Sequence, residues 1–182
     1  MEDIFNQPTE MVHIRDVSRQ QREIQRAAQL LKAGELVAFP TETVYGIGAL
    51  GLNVGAVERL YAAKNRPVGK AFSLQVANVN MIQQIAAYVP LMARKLLDKF
   101  APGPITVVLP KSPQVPELVT GGRDTVGIRI PDNPVALAVL QAVGAPLAVP
   151  SANISGHVSP KSGADVFGDM AGRLAMILDG GP

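Results

Sequence analysis

Two apolar rhythms run through this chain: short uninterrupted runs bounded by Pro and Gly, and longer stretches that read as helices. Residues 35–39 (Glu-Leu-Val-Ala-Phe) form the first run and read as a buried strand. Further strands are predicted at 71–76, 105–109, 125–130, 146–149 and 174–178. Helices are predicted over 54–64, 79–87, 91–100, 134–143 and 164–170. Ser18 with Gln21 three positions on resembles a capping box, opening a helix that Gly34 can end. Residues 1–17 read as an extended arm and 18–182 as one domain. Strands mixed with helices, and runs rather than strict alternation, predict a single α/β domain, an open twisted mixed sheet flanked by helices. No repeat or low-complexity linker interrupts it.

Composition narrows the class. At 182 residues the chain suffices for one proper core and would cramp two. With 47% hydrophobic and 18% charged residues it is globular, which excludes a disordered chain. Its longest apolar stretches, such as 85–93, are too short to cross a bilayer, so no membrane partner is expected. The first residues are acidic and lack the apolar centre of a secretion signal. There is no cysteine, hence no disulfide, thiolate nucleophile or Cys-based metal site. Together these features predict a soluble cytoplasmic protein. The net charge of +2 hides an asymmetry: no acid occurs from Arg59 to Leu97, where Arg59, Lys64, Arg66, Lys70, Arg94 and Lys95 are cationic. That suits an anionic partner, a phosphorylated small molecule or nucleic acid, and equally a solvated basic face.

Three polar segments break the apolar pattern. The first, Pro40-Thr41-Glu42-Thr43-Val44-Tyr45-Gly46, brings two hydroxyls, a carboxylate and a phenol to the end of the strand at 35–39. Such connections hold ligands in α/β folds, although a plain polar turn has the same composition. The second, Lys64-Asn65-Arg66-Pro67-Val68-Gly69-Lys70, gathers three cations where a helix ends. The helix dipole accounts for Lys64 but not for Arg66 and Lys70 beyond it. Arginine offers a planar fork for phosphate or carboxylate, and lysine a compact point charge. The third is Pro150-Ser151-Ala152-Asn153-Ile154-Ser155-Gly156, followed by Ser159-Pro160. Its hydroxyls and amide can bond a sugar, phosphate or carboxylate, and turn formation or capping uses the same residues. Alternation puts Val149 and Ser151 on one strand face, and Thr125 and Arg129 on one face of their strand. Arg129 among valine and isoleucine needs a partner, either a bound carboxylate or an internal acid.

Two other patterns are set aside. Gly46-Ile47-Gly48-Ala49-Leu50-Gly51 matches G-x-G-x-x-G, but the next helix opens only after Asn53 and no acid follows Glu58 until Asp98. The two histidines, His13 and His157, have no metal-ligand spacing.

Taken together the segments resemble the YrdC-like family of threonylcarbamoyladenylate synthases. The matching pieces are P-T-E-T-V-Y-G-I-G-A at 40–49, K-N-R-P-V-G-K at 64–70, P-G-P-I-T-V-V-L at 102–109, T-V-G-I-R-I-P at 125–131, S-A-N-I-S-G-H-V-S-P at 151–160 and I-L-D-G-G at 177–181. They occur in the family's order and cover nearly everything from about residue 20 onward. The resemblance implies an open twisted sheet with a basic concave surface. It implies a synthase joining L-threonine, bicarbonate and ATP into threonylcarbamoyl-AMP, releasing pyrophosphate, with Mg²⁺ accompanying the ATP. The product would reach tRNA adenosine through downstream threonylcarbamoyl-transfer proteins. By motif position, Thr43 and Arg129 would hold threonine, Arg129 through the carboxylate, with Gln75 and Val149 beside them. Lys64, Arg66 and Lys70 would face the phosphates, the first two as catalytic groups. Thr125, Ser151, Asn153 and Ser159 would line the nucleotide side. A carboxylate, a carbamate and a polyphosphate must meet, and fixed cations offset their repulsion without any covalent enzyme nucleophile.

The chain departs from that pattern in three places. Where relatives carry Pro-Leu and then a histidine near the threonine, it has Ala71-Phe72 and then Gln75, which hydrogen-bonds but carries no charge. Pro160-Lys161 stands where Pro-Thr is expected. The family pattern continues past Gly180-Gly181 into a strand bearing hydroxyls and an arginine, so a sequence stopping at Pro182 reads as a truncated or divergent copy. Two other readings stay open. One is a carbamoyl-adenylate transferase, as in hydrogenase-maturation proteins, whose additional zinc-binding and acylphosphatase-like regions this sequence lacks. The other is an RNA-binding module for tRNA or double-stranded RNA; with 4% aromatic residues it would read phosphates and shape rather than stack bases.

Overall fold

The computed structural model describes residues 6–182, in which the apolar rhythms become eight strands and six α-helices. In chain order these are β1 (Glu10–His13), α1 (Gln21–Lys32), β2 (Val37–Phe39), β3 (Gly46–Leu50), α2 (Val54–Ala63), β4 (Leu74–Gln75), α3 (Leu91–Phe100), β5 (Val107–Pro110), α4 (Glu117–Thr120), β6 (Thr125–Arg129), α5 (Pro134–Val143), β7 (Leu147–Ala148), α6 (Gly163–Met170) and β8 (Met176–Asp179). The strands form one mixed sheet in the order β1-β8-β2-β3-β7-β4-β6-β5. Pairs β1/β8, β8/β2 and β4/β6 are parallel and the remaining pairs antiparallel. No helix among the described residues is long and apolar enough to cross a membrane.

Local chemistry explains most boundaries. Helix α1 buries Ile24, Ala27, Ala28 and Leu31, a stripe at helical spacing. It ends in a Schellman motif, with Gly34 at φ +88°, its N–H donating to Leu31 O and that of Glu35 to Leu30 O. Asn133 caps α5 through the N–H groups of Val135 and Ala136, with Pro134 in the first turn.

Several expectations need correction. Ser18 does not cap α1, which starts after Gln20; Ser18 donates instead to Asp16 Oδ1 at 2.6 Å in a local turn. Part of the segment read as an arm is edge strand β1, paired with β8. The helix expected over 79–87 is a 3₁₀ segment, Val79–Gln84, because the residues after it pair elsewhere. Ala87 N–H donates to Pro110 O and Ser112 N–H to Ile85 O. Strand β3 lies in the glycine-rich stretch: a Cβ at Gly46 would meet Val149 Cγ1 at 2.5 Å, one at Gly48 the Phe39 ring at 2.9 Å, and one at Gly51 Leu74 Cδ2 at 2.5 Å. The G-x-G-x-x-G spacing thus serves close strand packing.

The sheet has two unlike halves. In β2 every side chain is buried, as are Met176, Ile177 and Leu178 of β8. In β6 burial alternates, with Val126 and Ile128 inside and Thr125, Gly127 and Arg129 outward. Strand β5 repeats this, Val108 being exposed between buried Val107 and Leu109. Register sets Gln75 and Leu147 on the same face as Arg129, and Val108 on that of Gly127; the face is open at β5 and β6 and covered at β4 and β7.

Candidate active site

The open face and the loops beside it gather most of the polar residues singled out by sequence. The turn after β2 is organised by Thr41, whose Oγ1 donates to Val44 O at 2.6 Å and accepts from the N–H groups of Thr43 and Val44. Thr41 is therefore a turn former, and it leaves Glu42 and Thr43 directed toward β6. Arg129 Nη2 donates to Glu42 Oε1 at 2.6 Å and to Thr43 Oγ1 at 3.3 Å. Of the two partners open to Arg129, an internal acid is the one observed. Gln75, its neighbour across β4/β6, is only 3% exposed. Glu42 Oε2, Arg129 Nε and Gln75 Oε1 are all buried with no hydrogen-bond partner among the described residues.

A second group forms around Lys64. As the C-cap of α2 it turns back into the protein, 1% exposed, and its Nζ donates to Ser151 O and Asn153 O at 2.5 Å each. Ser155 N–H donates in return to Lys64 O. Lys64 thus props the 151–155 loop from below and has one N–H left. Burial, reinforced by nearby Arg66 and opposed by Asp169, brings its pKa down to about 8. Asn153, also buried, donates to Ile154 O and His157 O, while its Oδ1 and Ser155 Oγ have no partner among the described residues. From the other side Asp169 of α6 accepts from Ile154 N–H at 2.7 Å and holds His157 Nδ1 at 2.6 Å.

Arg66 lies between solvent and core. Its guanidinium sits 4.7 Å from the Phe72 ring centroid and donates to Lys70 O and Ala71 O, which fixes the plane of the fork. Lys70, Thr125 and Ser159 are exposed, and their side chains make no hydrogen bond or ion pair among the described residues. Val149 packs against the glycine position at 46. Within the acid-free stretch, Arg59 is taken by Glu35 at 2.8 Å.

Main-chain bonds join the two groups. Ile47 N–H donates to Pro150 O, Ala152 N–H to Tyr45 O, Tyr45 N–H to Pro160 O and Val149 N–H to Ser73 O, and Gly46 bridges Ser151. Tyr45, which burial and then Asp179 push above the usual phenol range, lies 2.6 Å from Gly181 O and accepts from Gly180 N–H. It ties the end of β8 to the same turn. The cleft between α1 and α5, lined by Val17, Gln21, Pro134 and Leu137 among others, offers no charged side chain.

Sequence reasoning assigned no role to Glu42 or Asp169. Glu42 had a signal, since an arginine on an otherwise apolar strand requires an acid and Glu42 stands in the densest polar turn. Asp169 had none, because only the fold brings α6 to the loop.

The arrangement has known counterparts. A family model of Sua5, YciO and YrdC, described as telomere recombination, matches residues 29–182. The chain is 45% identical over 158 residues to the threonylcarbamoyl-AMP synthase of Pyrococcus abyssi (strain GE5 / Orsay), covering 87% of this chain and 46% of that protein. It is 43% identical over 168 residues to the threonylcarbamoyl-AMP synthase of Bacillus subtilis (strain 168), covering 92% and 49%. The structure of P. abyssi Sua5 complexed with L-threonine has a TM-score of 0.90 at 42% identity, over 96% of this chain and 51% of that one. The chain spans about half the length of these relatives. Because the family match runs from α1 through β8 and takes in both polar groups, the chain belongs to the Sua5/YciO/YrdC family.

Proposed function

We propose that this chain synthesises L-threonylcarbamoyl-AMP from L-threonine, bicarbonate and ATP, releasing pyrophosphate, for the threonylcarbamoyl modification of adenosine in tRNA. The observation that carries the reading is the joining of two unlike groups on one open face. One is built around an arginine-carboxylate pair, and the other is a lysine-propped loop with a buried amide; main-chain bonds along residues 45–47 connect them. The names of the relatives agree with it.

In this reading Thr43 and Arg129 hold threonine, Arg129 through the carboxylate, with Gln75 and Val149 beside it. The ammonium gives up a proton, and the free amine attacks bicarbonate and expels water to give a carbamate; a carbamate oxygen then attacks the α-phosphorus as pyrophosphate leaves. Lys64, Arg66 and Lys70 offset the polyphosphate charge, and Thr125, Ser151, Asn153 and Ser159 position the nucleotide. Charged at neutral pH, Lys64 would act twice, as prop and as phosphate partner. Among the described residues no group of three or more His, Asp or Glu side chains could hold a metal ion. Mg²⁺ characteristically binds through phosphates with few carboxylates, so the residues fit a metal–nucleotide substrate, with the metal neutralising triphosphate charge. The proposed acceptors of the product are the proteins that transfer the threonylcarbamoyl group to tRNA.

Pyrophosphate release from Mg-ATP tests this. Release that requires both L-threonine and bicarbonate is expected. Release that ignores threonine, or ATP binding without any release, would overturn it. RNA binding that falls steeply with salt and ignores threonine would favour the RNA-module reading instead.

A further inference from the structure

The Arg129–Glu42 pair is built in an unusual way for two charges so well covered, with side chains 15% and 18% exposed. Arginine and carboxylate usually meet through two parallel hydrogen bonds, which satisfies both groups. Here they meet at one point, Nη2 to Oε1. That leaves a donor, Arg129 Nε, and an acceptor, Glu42 Oε2, each buried and without a partner among the described residues. A carboxylate present only to neutralise Arg129 would gain from closing the second bond, and leaving both valences open costs about 1–3 kcal/mol each. A third open group, Gln75 Oε1, stands on the adjacent strand in register with Arg129.

We infer that Glu42 is the specificity residue for the α-ammonium group of the amino acid, with Oε2 accepting from the ammonium while Arg129 Nε takes the carboxylate. The inference rests on the proposed reading that this face binds threonine. The open valences, one donor and two acceptors, complement a zwitterion, which brings a carboxylate and an ammonium on one carbon. Charges then alternate around a closed ring: guanidinium, Glu42 carboxylate, substrate ammonium, substrate carboxylate. An arginine alone would hold any carboxylate of the right size. The Glu42–Arg129 pair, neutral as a unit, instead favours a ligand that is itself neutral and dipolar, and rejects carboxylic acids with no donor at the α carbon, which leave Oε2 desolvated and unpaired. Gln75 Oε1 offers a second acceptor to the ammonium or the side-chain hydroxyl, a contact that needs no charge on residue 75.

The test is calorimetric binding of L-threonine and of 3-hydroxybutyrate, which is threonine without its ammonium, to the wild-type chain and to Glu42→Gln. The variant keeps an acceptor for Arg129 and removes the charge. Wild type is expected to favour threonine by about 10-fold or more, the scale of one charge-assisted hydrogen bond. Glu42→Gln should lose threonine affinity by a similar factor and leave 3-hydroxybutyrate within about 3-fold, so the preference collapses. Equal loss of both ligands in the variant would mean that Glu42 only shapes Arg129, and a preserved preference would mean that the ammonium is held elsewhere; either overturns the inference. The wild-type comparison needs no variant to fold, and threonine-dependent pyrophosphate release without ammonium preference sinks the Glu42 role alone. Absence of both threonine binding and threonine-dependent release sinks the functional reading and this inference with it.

Discussion

The two halves of the sheet use similar short strands and end in opposite surroundings. Strand β2 buries every residue, with Phe39 fully covered, and β8 buries three of its four. Strands β5 and β6 bury alternate residues and turn Val108, Thr125 and Arg129 outward. A strand covered on both faces has no position at which a polar side chain costs little, and β4, likewise covered, carries its one polar side chain, Gln75, beside Arg129. A strand covered on one face has such positions at every second residue. The buried polar atoms without a partner among the described residues, Glu42 Oε2, Gln75 Oε1, Arg129 Nε, Asn153 Oδ1 and Ser155 Oγ, lie on β6, on neighbouring β4 or in the loops after β2 and β7. In the proposed reading one half is scaffold and the other, with its loops, is the working surface.

That contrast predicts separable losses. Phe39→Ala in the covered half should cost about 3–5 kcal/mol in urea unfolding while the folded fraction keeps its turnover. A large activity defect per folded molecule would blur the division. On the working surface, Arg66→Ala should lower kcat/KM for ATP by about 100-fold, equivalent to about 2.7 kcal/mol of transition-state stabilisation. Its stability cost should be nearer 1 kcal/mol, from the lost carbonyl bonds and Phe72 contact. Equal losses in both measurements would make Arg66 architectural. Arg129→Ala should raise the threonine requirement by about 10-fold and leave the ATP requirement unchanged; a shared defect would contradict its assignment to the amino acid.

Smaller effects sharpen the picture around Lys64. Its folded-state pKa of about 8 lies below the ordinary lysine value. Between that pH and the unfolded value the unfolded chain binds more protons, so the Lys64 contribution to stability rises with pH while its charge in the site disappears. Activity with ATP should therefore fall as pH rises through about 8 without any loss of melting temperature attributable to this group. A flat profile to pH 10 would remove Lys64 as a phosphate partner. Asp169→Asn should raise KM for ATP by about 3-fold with kcat nearly unchanged, since the loop loses its charged anchor but keeps an acceptor for Ile154 N–H. Because Asp169 holds the Lys64 value up, the same variant should move the alkaline limb to lower pH. An unmoved limb would separate the two residues.

Much of this was legible in the chain itself. The boundaries of α3 and α5 follow from Pro90, Asn133, Pro134 and Gly144, residues whose backbone chemistry acts locally. The alternation in 125–129 placed Thr125 and Arg129 on one face without tertiary information. Strand β3 was hidden because its glycines, Gly46 and Gly48, lack strand propensity and are required only by the close approach of Val149 and Phe39. Edge strand β1, with no buried residue, has no apolar pattern to read. In the site, the three polar segments were visible, but the division of labour within them was not. Helix-end chemistry explained Lys64, yet its ammonium reaches carbonyls 87 and 89 residues away. The acid for Arg129 and the anchor for residues 154–157 likewise come from segments that only the fold brings near.

The central claim is that substrates seat on the open half and its loops. Hydrogen exchange of the wild-type chain, with and without L-threonine, bicarbonate and a non-hydrolysable Mg-ATP analogue, tests it most directly. The account predicts added protection in peptides spanning 41–47, 73–76 and 150–160, and none in α1 or β8. Protection centred on the cleft between α1 and α5, or none anywhere at saturating ligand, would contradict it.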